Sequence, residues 1–206
     1  MANVVPNIVP NIVPNVVPNV VPIGLYYFDN LITEGAAILA ALDQREWKPV
    51  TASAHSRKIQ HYGFMYDYVS RKVATVCELI PAELEDLKNI LTETCVALGI
   101  TDAAYEFNQC IVNDYQPGQG IAKHADVNAY GPVIGCFTLG TGAMMTFRKG
   151  KESYNIYTKP NSLYLMSGDA RYQWTHEMTA RKSDQIDGKR VLRERRVSVT
   201  FRSVTK

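Results

Sequence analysis

Three residues in the second half of the sequence have the types and the spacing of a metal site. His124 and Asp126 lie two positions apart in the stretch QPGQGIAKHAD, where a Pro/Gly-rich turn precedes them. On a strand, residues two apart project to the same face about 7 Å apart along the backbone, so both side chains could bind one ion. A His-x-Asp pair is short enough to occur by chance, and it therefore needs a third ligand from elsewhere in the chain.

His176 is the candidate for that third ligand. The chain has four histidines, and of those outside the pair only His176 lies in the β-rich second half, in the strand-like stretch QWTHEM. Two imidazoles and one carboxylate form the facial triad that holds Fe(II) and leaves coordination positions open for other ligands. Zinc more often takes cysteine or a third histidine, whereas Mn(II) and Co(II) remain compatible with this set.

Two arginines near the end of the chain could bind an anion beside such a metal. Arg196 and Arg202 lie six residues apart in RRVSVTFR, a stretch rich in Val, Thr and Phe. Because six is even, both guanidinium groups face the same side of a strand, where they suit a dicarboxylate. An exposed face that pairs with surface acids is the alternative. Asn113 and Tyr115, in IVNDY, share a face by the same logic and offer neutral donors, although ordinary strand polar groups have this spacing too.

The elements that must position these residues change from helical to β-rich along the chain. Apolar positions at helical spacing predict one helix over 29–46 and a second over 81–98, opened by a proline and closed by a glycine. Between them, KIQHYGFMYDYV alternates like a strand. After residue 105, seven or eight short strand-like runs are separated by Gly, Pro and Asn turns. This pattern predicts an α+β fold with a jelly-roll core.

Composition and repeats divide the chain into two parts. A length of 206 residues with 46% hydrophobic residues suits one domain with a sizeable core, which we place at residues 24–206. Residues 1–23 contain the repeat VPNI, VPNI, VPNV, VPNV, whose prolines prevent a helix or an internal ladder. We predict a disordered or extended low-complexity tail, with a tether or partner-binding segment as the alternative.

Charge and cysteine usage limit the cellular setting. The net charge is only +2, but ten Lys/Arg against five Asp/Glu follow residue 168, so a polyanion-facing patch and a solvated charged loop are both compatible. The four cysteines form no C-x-x-C motif, which predicts reduced thiols in an intracellular protein of the cytoplasm or nucleus. The proline-broken N-terminus cannot form a signal peptide or a membrane span, and we expect a monomer without a membrane partner.

The order N-x-Y, H-x-D, a distal histidine and R-x5-R resembles the AlkB-type Fe(II)/2-oxoglutarate dioxygenases. The strings NDYQPGQGIAKHAD, SLYLMSGDARYQWTH and RRVSVTFR are close to that family's strings, and RKIQHYGFMY resembles its upstream segment. The resemblance covers roughly residues 24–204 and is nearest to the AlkB-like domain of the tRNA wobble-uridine hydroxylase (AlkB homologue 8). It implies a double-stranded β-helix core with the N-terminal helices packed on one side.

The resemblance also implies cofactors and a role for each candidate residue. The two histidines and Asp126 would be the catalytic ligands of Fe(II), with 2-oxoglutarate and O2 as co-substrates. Arg196 and Tyr115 would hold the distal carboxylate of 2-oxoglutarate, while Asn113 and Arg202 would lie beside the carboxylate next to its keto group. The family hydroxylates a substrate C–H bond as 2-oxoglutarate is decarboxylated to succinate, and a hydroxylated N-methyl group leaves as formaldehyde.

The substrate implied by the resemblance is a modified or alkylated nucleobase, in RNA, with tRNA favoured, or in DNA. Such a base is taken out of its stack and needs stacking surfaces and phosphate contacts, for which the basic stretch 181–196 is a candidate. Asn128 stands where base-repair members often carry an acidic residue, which argues against methyl-base repair. The alternatives are a protein substrate and a non-catalytic jelly-roll binding module. Candidate substrate contacts, each of which could equally be core or scaffold, are His61, Tyr62, Phe64, Tyr66, Asn128, Arg171 and Tyr172.

Overall fold

The chain folds into fifteen strands and three helices within the residues that the computed structural model describes, 21–70 and 72–204. In chain order these elements are β1 (Leu25–Phe28), α1 (Gly35–Leu42), β2 (Lys48–Pro49), β3 (Lys58–Tyr62), β4 (Phe64–Asp67), β5 (Lys72–Val76), α2 (Ala82–Ala97), β6 (Gln109–Tyr115), β7 (Ile121–His124), β8 (Tyr130–Gly140), β9 (Ala143–Lys149), β10 (Glu152–Thr158), β11 (Ser162–Met166), α3 (Gly168–Tyr172), β12 (Thr175–Met178), β13 (Ser183–Ile186), β14 (Lys189–Leu192) and β15 (Arg196–Val204).

Two antiparallel sheets form the core of the fold. The larger sheet has the order β1-β11-β8-β15-β6-β3-β2, and the smaller has the order β10-β9-β12-β7. Apolar side chains from both sheets pack in one buried cluster, so the sheets face each other. The pairs β4-β5 and β13-β14 are separate two-stranded hairpins. This arrangement confirms the predicted α+β fold with a jelly-roll, or double-stranded β-helix, core.

The two N-terminal helices cover the outer face of the larger sheet, as predicted. The side chains of Leu84, Leu87 and Leu91 are fully buried in α2. At Gly135 of β8, an added Cβ would lie 2.4 Å from a methyl group of Leu91, so the absence of a side chain there lets α2 approach the sheet closely. We call the apolar cluster between the helices and this sheet the helix-side core. Its fully buried members include Leu42, Leu84, Leu87, Leu91, Cys95, Val112, Phe137, Leu139, Val197, Val199 and Phe201.

The second helix agrees with the prediction, but the first is shorter. Helix α2 begins after Pro81 and ends before Gly99. The backbone of Gly99 has a positive φ of 66°, so the right-handed helix cannot continue through it. The prediction of 29–46 for the first helix was wrong at both ends, since α1 covers only Gly35–Leu42. The backbone N–H groups of Leu31 and Ile32 donate to the carbonyl of Asn161, so this segment docks onto the turn before β11 instead of joining the helix.

Two further segments differ from the sequence-based expectation. The stretch YQWTHEM was predicted as one strand, but its first residue ends α3 and only its last four residues form β12. The basic stretch 181–196 was expected as a loop, but it holds the β13-β14 hairpin. A buried ion pair between Arg193 and Asp184, with nitrogen–oxygen distances of 2.6 and 2.7 Å, closes the base of the hairpin. The backbone N–H of Met144 in β9 donates to Oδ2 of Asp184 at 3.2 Å and joins the hairpin to the smaller sheet.

Residues 1–20 of the predicted tail lie outside the described part of the chain, so its extended or disordered state stays a prediction. Of the last tail residues, Val21 and Ile23 are exposed, at 54% and 76%, whereas Pro22 is buried. Among the described helices, none combines the length and the apolar character needed to cross a membrane.

Candidate active site

The three predicted metal ligands meet in the gap between the two sheets. One potential ligand atom from each of His124, Asp126 and His176 lies within 4.8 Å of the other two. His124 ends β7, and β7 pairs antiparallel with β12 so that His124 is the direct register partner of His176. The two imidazole centroids are 4.3 Å apart. Strand pairing therefore brings together two histidines that are far apart in sequence.

The chain entering β7 passes very close to the end of β12 and to the loop that follows it. An added Cβ at Gly120 would lie 2.2 Å from the carbonyl oxygen of Met178 and 2.7 Å from the amide nitrogen of Ala180. Glycine is thus required for the approach that sets the β7-β12 register. Gly120 is the last residue of the QPGQG turn, so this turn contributes to the site by allowing β7 to approach β12.

The tautomer of His124 is fixed by its own strand. The Nδ1 atom lies 2.8 Å from the carbonyl oxygen of Ala122, and a carbonyl can only accept a hydrogen bond. Nδ1 therefore carries the proton and Nε2 has the free lone pair, as a metal ligand requires.

Asp126 was predicted to lie on the same strand as His124, but it lies outside that strand. Strand β7 ends at His124, and Asp126 lies in the following loop. Arg202 holds the carboxylate, since its Nε and one terminal nitrogen each lie 2.8 Å from Oδ1. Arg171 holds the loop by donating to the carbonyl oxygens of Asp126, Val127 and Tyr130 at 2.7 to 3.2 Å. Two arginines thus position the Asp126 carboxylate beside the histidines, a role that the sequence analysis gave to a regular strand.

The charge states of the triad suit a divalent cation. Burial would raise the pKa of Asp126, but Arg202 and the two histidines lower it to about 2. Burial lowers the pKa of His176 to about 3 although Asp126 opposes this effect. The site thus contains one carboxylate and a neutral His176. Within the described part of the chain, the buried Oδ2 atom of Asp126 has no hydrogen-bond partner, and it lies 3.6 Å from Nε2 of His176. A cation bound between these atoms would satisfy it, so the residues fit the metal.

A narrow inner pocket extends from the triad toward β15 and β6. Arg196 and Arg202 both line it, so the prediction that they share a face is confirmed. Arg196 donates to Oγ1 of Thr138 at 3.0 Å, but its buried Nε has no hydrogen-bond partner among residues 21–70 and 72–204. Its guanidinium lies 5.7 Å from the ring centroid of Tyr115. The pocket thus offers a cationic N–H donor, Nε of Arg196, that no acceptor within the described residues occupies. Its polar lining consists of Asn113, Tyr115, Tyr164, Arg196, Ser198, Thr200 and Arg202.

A larger outer cavity of about 550 Å³ opens on the other side of the triad. Tyr66, Tyr68 and Tyr130 contribute its aromatic surface, and Arg57 and Lys123 contribute cationic side chains. The ring of Tyr66 packs edge-on against Tyr68, with centroids 5.0 Å apart, and lies 6.4 Å from that of Tyr130. The inner pocket and the outer cavity share the triad residues His124 and Asp126.

The structure separates the two adjacent candidates on β3. Tyr62 is 2% exposed, lies in the helix-side core and donates from its hydroxyl to Oε1 of Gln60, so it faces away from the cavity. His61 points to the opposite face, where its ring stacks on Tyr68 at 6.0 Å. Burial and Arg202 lower the pKa of His61 to about 4. The two neighbours cannot both contact a substrate because strand residues alternate between faces.

The remaining substrate candidates lie in different surroundings. Tyr66 lines the outer cavity. Phe64 begins β4 and is half-buried. Arg171 is 2% exposed, and its guanidinium is occupied by the loop carbonyls. Tyr172 is 54% exposed and lies 4.8 Å below that guanidinium, while Asn128 is exposed in the loop after Asp126.

Among the outer-cavity residues that sequence reasoning missed are four with aromatic or cationic side chains: Arg57, Tyr68, Lys123 and Tyr130. Arg57 and Tyr68 flank β3 and β4 in the aromatic stretch that the sequence analysis had singled out, which was an available signal. Tyr130 had none, because only the loop held by Arg171 brings the start of β8 to the site.

Comparison with known proteins places the chain in a family. Residues 39–202 match the 2OG-Fe(II) oxygenase superfamily. The chain is 35% identical over 174 residues to uncharacterized protein L905 of Acanthamoeba polyphaga mimivirus, covering 82% of this chain and 78% of that protein. It is 30% identical over 207 residues to the Arabidopsis thaliana alkylated DNA repair protein ALKBH8 homolog, covering 88% of this chain. It is 34% identical over 150 residues to Xenopus tropicalis tRNA (carboxymethyluridine(34)-5-O)-methyltransferase alkbh8, covering 70% of this chain.

The chain spans 58% of the Arabidopsis relative and 23% of the Xenopus relative. Among solved structures, OsALKBH1 has a TM-score of 0.67 at 15% identity, with 88% of this chain and 96% of that chain covered. A Pseudomonas putida prolyl-4-hydroxylase has a TM-score of 0.59 at 14% identity, with 88% and 93% covered. These two likenesses support the fold. Given the match over most of its length and the His-Asp-His group, the chain belongs to the 2OG-Fe(II) oxygenase superfamily as an AlkB-type dioxygenase that uses Fe(II), 2-oxoglutarate and O2.

Proposed function

We propose that this dioxygenase hydroxylates or oxidatively demethylates a modified or alkylated nucleobase, in RNA before DNA and with tRNA favoured. The observation that carries the proposal is the outer cavity of about 550 Å³, which opens directly onto the triad and is walled by tyrosines. A flat base taken out of its stack needs such a surface, because aromatic rings replace part of the stacking that it loses.

The family relatives support a nucleic-acid substrate. The names of the Arabidopsis and Xenopus relatives refer to alkylated DNA and to tRNA, and a Danio rerio relative is a probable RNA/DNA demethylase, 28% identical over 124 residues. Two of these three names refer to RNA. The cationic side chains Arg57 and Lys123 at the cavity are compatible with a polyanion.

The triad in this proposal holds the iron through Nε2 of His124, the carboxylate of Asp126 and His176. When bound, Fe(II) and 2-oxoglutarate supply the oxidising chemistry by which O2 hydroxylates a C–H bond, while 2-oxoglutarate becomes succinate and CO2. Arg202 keeps Oδ1 of Asp126 occupied, so that Oδ2 faces the metal position. The protein's part is to orient these ligands before the metal binds.

The inner pocket in this proposal holds 2-oxoglutarate. Arg196, with a buried unused Nε, and the Tyr115 hydroxyl would anchor the distal carboxylate at the closed end. Asn113 and Arg202, which lie in both the inner pocket and the outer cavity, would flank the carboxylate beside the keto group. Anchoring both ends fixes the orientation of the co-substrate relative to the triad.

The test is mass spectrometry of nucleosides from tRNA, other RNA and methylated DNA, each incubated with protein, Fe(II), 2-oxoglutarate and O2. We expect a modified or methylated nucleoside to decrease in the RNA samples, with a hydroxylated or demethylated product that requires 2-oxoglutarate. The Tyr66→Ala variant should lower this turnover, because Tyr66 forms part of the cavity wall, without weakening 2-oxoglutarate binding. Unchanged nucleosides in every sample, together with hydroxylation of protein residues in parallel incubations, would replace the proposal by a protein substrate.

A further inference from the structure

Arg57 is a third arginine at the site, and the family motifs do not include it. Residue 57 lies one position before β3, where its side chain is half-buried and lines the outer cavity. Its Nε donates a hydrogen bond of 3.0 Å to Oδ1 of Asn113. Asn113 is 8% exposed and lies where the outer cavity meets the inner pocket.

This hydrogen bond fixes which way the Asn113 amide points. A guanidinium N–H can only donate, so the partner atom of Arg57 must be the amide oxygen and not the amide nitrogen. The Nδ2 group is left to point elsewhere, and it makes no hydrogen bond within residues 21–70 and 72–204. The two N–H donors of Asn113 therefore remain available to an acceptor in the adjoining pocket.

The guanidinium of Arg57 is itself held in place by two aromatic rings. It lies 5.6 Å from the ring centroid of Tyr68 and 6.0 Å from that of Tyr115. Tyr68 belongs to the outer cavity and Tyr115 to the inner pocket. Contacts on both sides restrict the rotamers of a long side chain, so the donor is placed before any ligand arrives.

We propose that Arg57 is a positioning residue that locks the Asn113 amide with its N–H donors toward 2-oxoglutarate. The inference rests on the proposed role of Asn113 in binding this co-substrate. If the amide were free to flip, its oxygen would face a carboxylate for part of the time and repel it. Removing Arg57 should therefore weaken 2-oxoglutarate binding without removing any group that touches the co-substrate.

The test measures the dissociation constant of 2-oxoglutarate by calorimetry, with Mn(II)-loaded protein in the absence of oxygen. We expect Arg57→Met to raise this constant about tenfold, the loss typical of one hydrogen bond to a charged group. A matched control is Arg45→Met. Arg45 also donates from its Nε to a side-chain oxygen, in its case a carboxylate oxygen of Glu83, and lies 5.8 Å from the ring centroid of Tyr62, but on the helix side. Its dissociation constant should equal that of the unmodified protein.

The double variant Arg57→Met/Asn113→Ala separates positioning from direct attraction. If Arg57 acts through Asn113, the double variant should bind 2-oxoglutarate no more weakly than Asn113→Ala alone. If the two effects instead multiply, Arg57 acts on the co-substrate by its own charge and the inference is overturned. The Arg57→Lys variant should restore binding only in part, because a lysine does not have the planar fork of donors. Full restoration by lysine would also contradict positioning.

If the assignment of Asn113 to 2-oxoglutarate binding is wrong, the dissociation constants should show a different pattern. If Asn113→Ala leaves the dissociation constant unchanged, Asn113 does not bind 2-oxoglutarate and its proposed role is wrong. If Asn113→Ala weakens binding but Arg57→Met does not, only the inference about Arg57 fails. Neither outcome depends on a nucleic-acid substrate, since none is present in the measurement.

Discussion

The two faces of the larger sheet are built from the same strands but differ in nearly every buried group. In β15, Val197, Val199 and Phe201 are fully buried in the helix-side core, whereas the alternate residues Arg196, Ser198, Thr200 and Arg202 line the inner pocket. Strands β6 and β3 show the same alternation. The helix-side face thus buries mostly apolar groups, whereas the inner face combines its own apolar cluster with buried arginines.

This difference between the two faces separates the residues that stabilise the fold from those that are proposed to bind the metal and 2-oxoglutarate. Every buried charge costs free energy unless it is paired, and the inner face leaves Nε of Arg196 and Oδ2 of Asp126 without hydrogen-bond partners. Apolar burial on the helix side stabilises the fold by about 25 cal/mol for each Å² removed from water and can offset that cost. Substitutions on the two faces should therefore change different measurements.

The largest expected difference in turnover is between substitutions of two adjacent residues of β12. His176→Ala removes a proposed iron ligand and should lower succinate formation by on the order of a thousandfold, because the metal supplies several kcal/mol of transition-state stabilisation. Glu177→Ala, the control, changes a side chain that pairs with the half-exposed Arg148 instead. It should retain full turnover. The measurement is succinate release, together with the anaerobic visible band of Fe(II) and 2-oxoglutarate. A His176→Ala protein that keeps the band contradicts the ligand assignment.

A second pair of substitutions in β15 compares stability with binding. Phe201→Ala should lower the free energy of unfolding by about 3–5 kcal/mol, because it leaves a cavity in the helix-side core. Arg196→Met should leave unfolding unchanged or make the protein more stable, since it removes a buried guanidinium with an unpaired Nε. Urea unfolding measures both variants.

The ranking of these two variants should reverse when 2-oxoglutarate binding is measured instead of stability. Arg196→Met should bind it at least about tenfold more weakly, as expected when a charged hydrogen-bond donor to a carboxylate is lost. The folded fraction of Phe201→Ala should bind it normally. If Arg196→Met instead destabilises the protein and leaves binding unchanged, the roles of the two faces are reversed.

The smallest expected effect is a pH dependence at two adjacent residues of β3. The pKa of His61 is about 4 in the folded protein, below its ordinary value of 6.5. Between these values the unfolded chain binds a proton that the folded protein does not, so stability falls as the pH drops from about 6.5 to about 4. His61→Phe should reduce that loss by about 1–2 kcal/mol, allowing for partial solvent exposure.

Tyr62→Phe is the control for this pH effect. It removes a hydrogen bond to Gln60 and should cost about 1 kcal/mol equally at both pH values, because no group titrates. Urea unfolding of metal-free protein at pH 7.5 and pH 4.5 measures both variants. An identical pH dependence in His61→Phe and the unmodified protein would mean that His61 is not the titrating group.

Local patterns in the sequence predicted much of the fold. The leucine stripe between Pro81 and Gly99 predicted α2 to within one residue at each end, since helical period, proline and glycine all act locally. The first helix failed because its expected start is tied to Asn161, which is distant in sequence. The spacing of Arg196 and Arg202 correctly predicted a shared face, because alternation is a property of any single strand.

The sequence by itself determined most of the candidate residues for the chemistry and which neighbours share a face, because residue type and two-residue alternation need no information about distant partners. Only the tertiary structure decided that His124 pairs with His176, that Arg202 holds Asp126, and that Arg57 reaches Asn113. Each of these contacts joins segments more than 50 residues apart. Such contacts depend on the register between strands, and register is set by packing of the whole sheet rather than by any local pattern.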